Sequence, residues 1–222
     1  MPNQSEIRQQ PVIFTDFDGT ISIGDVGNRL FQHFSDGRSG KAVDLWLAGK
    51  IDSRQCLEEE GQSLRDVTAE ELFDFFDGFA IDPDFSPFVD FCRDSGWPLY
   101  ILSDGLDIYI HRILKSHGLT DLAIYANRAE LVEGRLRFSY PYYENSCGNC
   151  ANCKGYQLRR LRRDGRKAVY IGDGKSDLCA LPEADLVFAK GYLAEHCRIN
   201  GLDHMTFDGF KDITKILRSQ FA

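Results

Sequence analysis

The amino-acid sequence predicts an α/β fold in which a mostly parallel sheet is flanked by helices and a helical block is inserted after the first strand. Three observations carry that prediction. Apolar runs at 11–14 and 97–102 and the stretch 167–171, apolar after Lys167, have the composition of strands buried on both faces. Each run leads directly into a polar, glycine-containing turn: Asp16-Phe17-Asp18-Gly19-Thr20, Ser103-Asp104-Gly105 and Gly172-Asp173-Gly174-Lys175-Ser176-Asp177. Helical patterns separate the runs, and strands alternating with helices imply parallel pairing. In open sheets of this kind ligands sit beyond the carboxyl ends of the strands, so the three turns mark one expected site.

In chain order, the pattern after Thr20 stays helical for roughly sixty residues. Val26, Leu30, Phe31 and Phe34 share a helical face, and Ser35-Asp36-Gly37 stops that segment. A second short helix carries Ala42, Val43, Leu45, Trp46 and Leu47 and ends at Gly49, and a third and fourth cover 51–62 and 68–78. Thr68-Ala69-Glu70-Glu71 has the form of a capping box, with Glu71 reaching back to Thr68. A helix over 85–95 closes at Gly96 before the second strand, and another follows over 106–117. Residues 122–125 read as the next strand and 129–138, around Glu133-Gly134, as a hairpin. A cysteine-rich loop at 147–153 precedes a basic helix over 154–163; after the strand at 167–171 come a helix through Leu181 and a strand at 186–188. Trp46 and Trp97 read as core.

The 222 residues allow one large domain or a core with an insertion. A compact fold of that size buries about 70% of its unfolded surface. With 26 basic against 34 acidic residues the net charge is -8, which disfavours a general polyanion binder, and no nucleic-acid partner is expected. The basic run Arg159, Arg160, Arg162, Arg163, Arg166 and Lys167 fits a solvated helix face, because Leu158 and Leu161 supply its apolar side. Residues 1–10 are polar, with no leader-like apolar stretch, and no run approaches the ~20 apolar residues of a membrane span. An odd count of seven cysteines without an export signal predicts reduced thiols in a cytoplasmic protein. Nothing in the sequence speaks to oligomeric state.

Asp16 and Asp18 lie two residues apart, so on an extended chain they share a face. Two such carboxylates stay ionised together only beside a cation, and oxygen ligands favour Mg²⁺. Alone, the pair is equally an acidic turn that breaks a strand. Ser103, Lys154, Asp173 and Asp177, collected at the same sheet edge, change the weighting. Four carboxylates, a hydroxyl and an ammonium ask for a metal ion and a phosphoryl group together. Phosphoryl transfer follows as the expected chemistry: one aspartate attacks phosphorus and a second carboxylate handles the protons.

In this order, Asp16-Phe17-Asp18-Gly19-Thr20, Ser103, Lys154 and Gly172-Asp173-Gly174-Lys175-Ser176-Asp177 resemble the four motifs of the haloacid dehalogenase superfamily phosphatases, over nearly the whole chain. The resemblance implies a Rossmann-like core at 1–22 and 81–222 and a helical C1-type cap at 23–80 that closes over a small phosphorylated metabolite. It implies Asp16 as nucleophile, Asp18 as general acid/base, and Ser103 as a phosphate ligand with Asp104 and Gly105 beside it. Lys154 would hold the phosphoryl oxygens and Asp16, while Asp173 and Asp177 position Mg²⁺ with Asp16 and the backbone carbonyl of Asp18. Within the superfamily the chain is similar to the phosphoserine-phosphatase-like branch. Through Ser103-Asp104-Gly105-Leu106-Asp107 and the cysteine-rich loop it looks closest to the methionine-salvage 2-hydroxy-3-keto-5-methylthiopentenyl-1-phosphate phosphatases. Phosphocholine and phosphoethanolamine phosphatases share that plan, whereas phosphoserine phosphatases usually carry Ser-Gly-Gly at the second motif.

Several residues keep two readings. Asp25 stands nine after Asp16, where phosphoserine phosphatases tend to meet the substrate amine, yet acidic residues also begin helices to complement the dipole. Asn28, Arg29 and Arg54 are weaker candidates of the same kind. Cys147, Cys150 and Cys153 have the spacing of metal ligands, but a structural zinc needs a fourth, from as far away as Cys179, Cys197 or a histidine. A redox-sensitive cluster and a tight loop that aims Lys154 are the alternatives. Rival functions are phosphotransfer, phosphonate or halide chemistry on the same first motif, and a non-catalytic phospho-ligand sensor.

Overall fold

The computed structural model of the protein describes residues 10–35, 37–162 and 165–221. The polar stretch 1–10 falls, apart from its last residue, outside the described residues, as do Asp36 and the Arg163 end of the basic helix. Strands β1 (Pro11–Thr15), β2 (Leu99–Leu106), β3 (Ala123–Val132), β4 (Arg135–Ser139), β5 (Lys167–Gly172), β6 (Leu186–Ala189) and β7 (Met205–Thr206) form one sheet in the order β4-β3-β2-β1-β5-β6-β7. Only β3 and β4 pair antiparallel. β1 is buried along its whole length. Val12 and Phe14 enter one core layer and Ile13 the other, as the period of two requires. Chain order reverses at β1, which lies between β2 and β5, so the crevice beyond its end is where a ligand site belongs.

Between β1 and β2 the chain forms α1 (Val26–Phe34), α2 (Gly40–Leu47), α3 (Ser53–Ser63) and α4 (Ala69–Asp77), the helical block the sequence predicts. Thr68 and Glu71 do make a capping box: the Glu71 N–H donates to Thr68 Oγ1 at 3.1 Å and the Thr68 N–H to Glu71 Oε2 at 2.8 Å. At the root of the block, Ile23 N–H donates to Ala80 O at 2.9 Å and Asp82 N–H to Ile21 O at 2.8 Å, so main-chain bonds pin both crossing segments together. Above that root, Leu30, Phe34, Leu72 and Phe76 share a continuous core with Phe17, Ile21 and Tyr109. The remaining helices are α5 (Phe85–Asp94), α6 (Asp107–Ser116), α7 (Lys154–Leu161), α8 (Gly191–Asn200) and α9 (Phe210–Phe221).

Four local expectations change. Residues 122–138 are not a strand followed by a separate hairpin: β3 is one ten-residue strand that pairs with β2 in its first half and with β4 in its second. Ser103-Asp104-Gly105 is an irregular stretch inside β2, with the register against β3 shifting between Leu102 and Leu106. Asn127 holds that irregularity by donating from Nδ2 to Asp104 O at 2.7 Å. The segment after Asp173 is a 3₁₀ helix, Lys175–Glu183, that carries Pro182, which has no N–H to give, in its last turn. Trp97 is core, but Trp46 is only half-buried and instead walls a cavity. Three arginines of the basic run meet partners within the chain while Arg159 stays largely exposed: Arg159 and Arg162 pair with Glu183 and Asp185, each at 2.6 Å, and Arg160 stacks over Tyr125 and Tyr142. Among the described residues, no helix is long and apolar enough to cross a membrane.

Candidate active site

The carboxyl ends of β1, β2 and β5 bring the three polar turns together. Asp16 follows β1, fixed by its N–H to Ile171 O at 2.9 Å, and its side chain is nearly buried. Lys154, the first residue of α7, is fully buried, and its ammonium donates to Asp16 Oδ1 at 2.7 Å, Asp177 Oδ1 at 2.5 Å and Ser176 Oγ at 3.0 Å. All three ammonium protons therefore have partners. Burial and the neighbouring carboxylates push the Asp16 carboxyl upward, and Lys154 opposes them. Asp177 accepts two further bonds at Oδ2, from the N–H groups of Asp173 and Gly174, and one more at Oδ1 from Tyr170. Asp173 accepts the Thr20 hydroxyl at 2.7 Å, and burial lifts its carboxyl to about 6. Gly19, with φ +76°, lies where a Cβ would collide with the Asp173 carboxylate, so this turn requires glycine.

Asp18 is held differently. Its Oδ1 accepts the N–H groups of Val26 and Gly27 at 3.0 and 3.4 Å, and Asp25 accepts the Asn28 N–H at 2.8 Å, so two aspartates satisfy the open amides that begin α1. Its Oδ2 accepts the Tyr109 hydroxyl at 2.6 Å and lies 3.4 Å from Ser103 Oγ. Burial, then the charge of Asp25, pushes the Asp18 carboxyl up to about 7, against the pull of Tyr109 and the two amides. Tyr109 carries no sequence signal, since in α6 it continues the apolar stripe of Ile110 and Ile113. Its mark is Gly105, where any Cβ would meet the Tyr109 hydroxyl.

Ser103 lies beside this pair, its Oγ accepting the Gly105 N–H at 2.9 Å. Asp104, expected at the substrate, borders the cavity but has both carboxylate oxygens engaged. Oδ2 accepts Ser53 Oγ at 2.6 Å and Oδ1 the Asn152 N–H at 2.7 Å, so Asp104 joins β2 to the start of α3 and to the cysteine loop. Asn152 extends the join through Nδ2, which donates to Ser103 O and Tyr125 O.

A cavity of about 620 Å³ opens over these groups. Asp16, Asp18 and Ser103 form one end; Phe31, Val43, Trp46, Leu47 and Leu57 from the helical block form an apolar wall. Asp25 and Asn28 border it, whereas exposed Arg54 stacks on Tyr143 outside it. Glu60 reaches in with Oε1 lacking a hydrogen-bond partner, and burial lifts its carboxyl to about 8. Lys175 is the one cation among the described lining residues, and its ammonium donates to Trp46 O and Leu47 O. One carboxylate oxygen each from Asp16, Asp173 and Asp177 lie within 4.8 Å of one another, a hard-oxygen donor set suited to Mg²⁺.

A profile of the family described as "Putative Phosphatase" matches residues 12–203. The chain belongs to this phosphatase family. The 2-hydroxy-3-keto-5-methylthiopentenyl-1-phosphate phosphatase of Bacillus pumilus (strain SAFR-032) is 31% identical to it over 217 residues, covering 96% of this chain and 91% of that protein. The protein of the same description from Brevibacillus brevis (strain 47 / JCM 6285 / NBRC 100599) is 31% identical over 93% of this chain and 95% of its own length. A solved structure described as a phospho-aspartyl intermediate analogue of phosphoserine phosphatase superposes with a TM-score of 0.71 at 19% identity, covering 94% of this chain and 99% of that one. The α/β haloacid dehalogenase plan stands, and as a member of this phosphatase family the protein is a phosphoric monoester hydrolase.

Proposed function

We propose that the protein is a Mg²⁺-dependent phosphomonoesterase that works through an aspartyl-phosphate on a small methylthio-pentenyl-type phosphate in the cytoplasm. The observation that carries this reading is the pairing of Asp16, held by Lys154 at 2.7 Å, with an Asp18 whose carboxyl is poised near 7, in one cavity. Asp16 attacks phosphorus as the bond to the leaving oxygen breaks, and Asp18 delivers its proton to that oxygen. The Asp18 carboxylate then takes a proton from water, which attacks phosphorus and frees Asp16 with inorganic phosphate. Asp16, Asp173, Asp177 and the backbone carbonyl of Asp18 would hold Mg²⁺, which when bound neutralises charge on the carboxylates and the phosphoryl group. Asp177, whose carboxylate accepts four hydrogen bonds, also orients Lys154 and the Asp173-Gly174 turn. Ser103 and Lys154 receive the phosphoryl oxygens. Residues 23–80 act as the cap, on a core of 1–22 and 81–222, and exclude water.

Tyr109 sets the acidity of Asp18 in this mechanism. Its hydroxyl favours the carboxylate, so Tyr109→Phe raises the Asp18 pKa. Because the leaving-group step needs the protonated form, the alkaline limb of the kcat/KM profile is expected to move upward by roughly one pH unit with the fold intact. A limb that stays in place removes Tyr109 from the mechanism.

The apolar wall of Phe31, Val43, Trp46, Leu47 and Leu57 suits a methylthio chain, and the curated relatives act, by their descriptions, on such a phosphate. Phosphoserine offers a carboxylate, for which the described lining residues supply only Lys175, already bonded to main-chain oxygens. A second reading, phosphocholine or phosphoethanolamine, is favoured by Glu60 and Asp25, acids that would face a cationic head group. The test is a substrate panel assayed with and without Mg²⁺, repeated on Glu60→Gln. The methylthio-pentenyl phosphate is expected to give the highest kcat/KM in wild type; a head-group phosphate in first place, with a collapse in Glu60→Gln, replaces the substrate assignment. Hydrolysis of no member in Mg²⁺ discards the enzyme reading.

A further inference from the structure

The chain folds Cys179, from the 3₁₀ segment after Asp177, onto the loop that carries Cys147, Cys150 and Cys153. The four sulfurs all lie within 4.8 Å of one another. Cys147 and Cys150 are 3.5 Å apart and Cys150 and Cys179 3.8 Å, and all four residues are free thiols. A tetrahedral zinc with Zn–S bonds of about 2.3 Å requires sulfurs about 3.8 Å apart, so the spacing is that of a four-thiolate site. The surroundings fit as well. Cys150 and Cys153 are buried, while Cys147 is exposed, which leaves a path for the ion. Cys153 is the N-cap of α7, where the positive end of the helix favours a thiolate.

We propose that Cys147, Cys150, Cys153 and Cys179 form a structural zinc site that ties the loop before Lys154 to the segment after Asp177. Binding exchanges thiol protons, released to solvent, for Zn–S bonds, with no change of oxidation state. The placement explains why a thiol cluster lies here. Cys153 is the residue before Lys154 and Cys179 is two after Asp177, so the ion would fix both ends of the 2.5 Å Lys154–Asp177 contact. The same loop holds Asn152 against Asp104 and, through Asn149 O, accepts the Ser53 N–H at the start of α3. One ion therefore braces two catalytic segments and the foot of the helical block.

The full-length protein, made in zinc-supplemented medium and purified with reductant and without chelator, is expected to carry one zinc per chain by mass spectrometric metal analysis and to keep it through dialysis. Cys147→Ser and Cys179→Ser should each lose most of it, whereas Cys92→Ala, in α5 and outside the cluster, should retain it. Cobalt(II) reconstitution of the wild-type chain covers the case in which the serine variants do not fold: a four-thiolate site gives intense thiolate-to-cobalt charge-transfer absorption. Zinc far below one per chain in the reduced wild-type protein, or cobalt binding without that absorption, overturns the site. Metal-stripped protein resupplied with excess Mg²⁺ alone should melt lower and turn over several-fold more slowly, with zinc restoring both; an unchanged melting temperature overturns the bracing role. The metal count is read without any activity, so it stands or falls separately from the phosphatase mechanism.

Discussion

Asp16→Asn is expected to abolish turnover while leaving the protein as stable as before, or more so. The asparagine keeps the shape of the side chain and an oxygen for the Lys154 ammonium, 2.7 Å away in the native chain. It does not supply an anionic nucleophile, so the covalent route is closed. Removing a nucleophile elsewhere costs on the order of 10⁶-fold in kcat, and a loss of that size is expected here. The stability expectation comes from the neighbours. Burial works against an ionised Asp16 and Lys154 works for it, but the charges of Asp177, Asp173 and Asp18 add to the burial and the net push is upward, so a neutral amide relieves more than it loses. Active sites commonly hold such destabilising arrangements for function. The check is kcat on p-nitrophenyl phosphate beside a thermal melt in metal-free buffer. A variant that turns over close to the wild-type rate would rule out Asp16 as the nucleophile; one that melts far lower would show that its charge supports the fold.

The parts of this site that the sequence made legible are those where one residue type has one physical use. The interiors of β1 and β5 are apolar because they are buried on both faces, and the aspartates beyond their ends have no structural reason to follow such strands. Residues whose roles depend on closure in three dimensions were not legible. Tyr109 reads as core because the same aromatic on the same helical stripe packs in either case; only its hydroxyl, aimed at Asp18, sets it apart. Asp104 directly follows Ser103 and borders the cavity, yet the partners that engage its carboxylate, Ser53 and Asn152, stand 51 and 48 residues away in the chain. Trp46 follows the helical pattern but faces the cavity, because α2 packs on α3 with its remaining side open. The stretch just after β6 gives little signal for a similar reason. In α8 only Leu193 and Cys197 are buried, too few to mark a stripe, and β7 is two residues long.

Lys154→Met is expected to cost both activity and stability, and to do so in a way that Mg²⁺ partly reverses. The ammonium is fully buried and compensates Asp16 and Asp177 directly. Methionine matches the length of the stem but leaves those carboxylates in the interior with no cation. Exchanging a whole buried ionic group for apolar residues can be neutral, but removing one partner strands the others, typically at about 3–5 kcal/mol. For a chain of this length each kcal/mol lowers the melting temperature by roughly 2–4 °C, so a drop on the order of 10 °C is expected in metal-free buffer. The stranded carboxylates can also take up protons, so the deficit should shrink as the pH falls: the wild-type advantage is present where Asp16 is ionised and is lost as it protonates. Added Mg²⁺ supplies charge to the same oxygens and should narrow the gap at neutral pH. Activity should not recover with it, because a preorganised donor to the phosphoryl oxygens is gone, a loss of about 10²–10³ in kcat. Melting curves of both proteins across pH, with and without Mg²⁺, separate the two contributions. Equal stability in metal-free buffer at neutral pH would mean that the buried acids are already neutral there and that Lys154 is not their counter-charge.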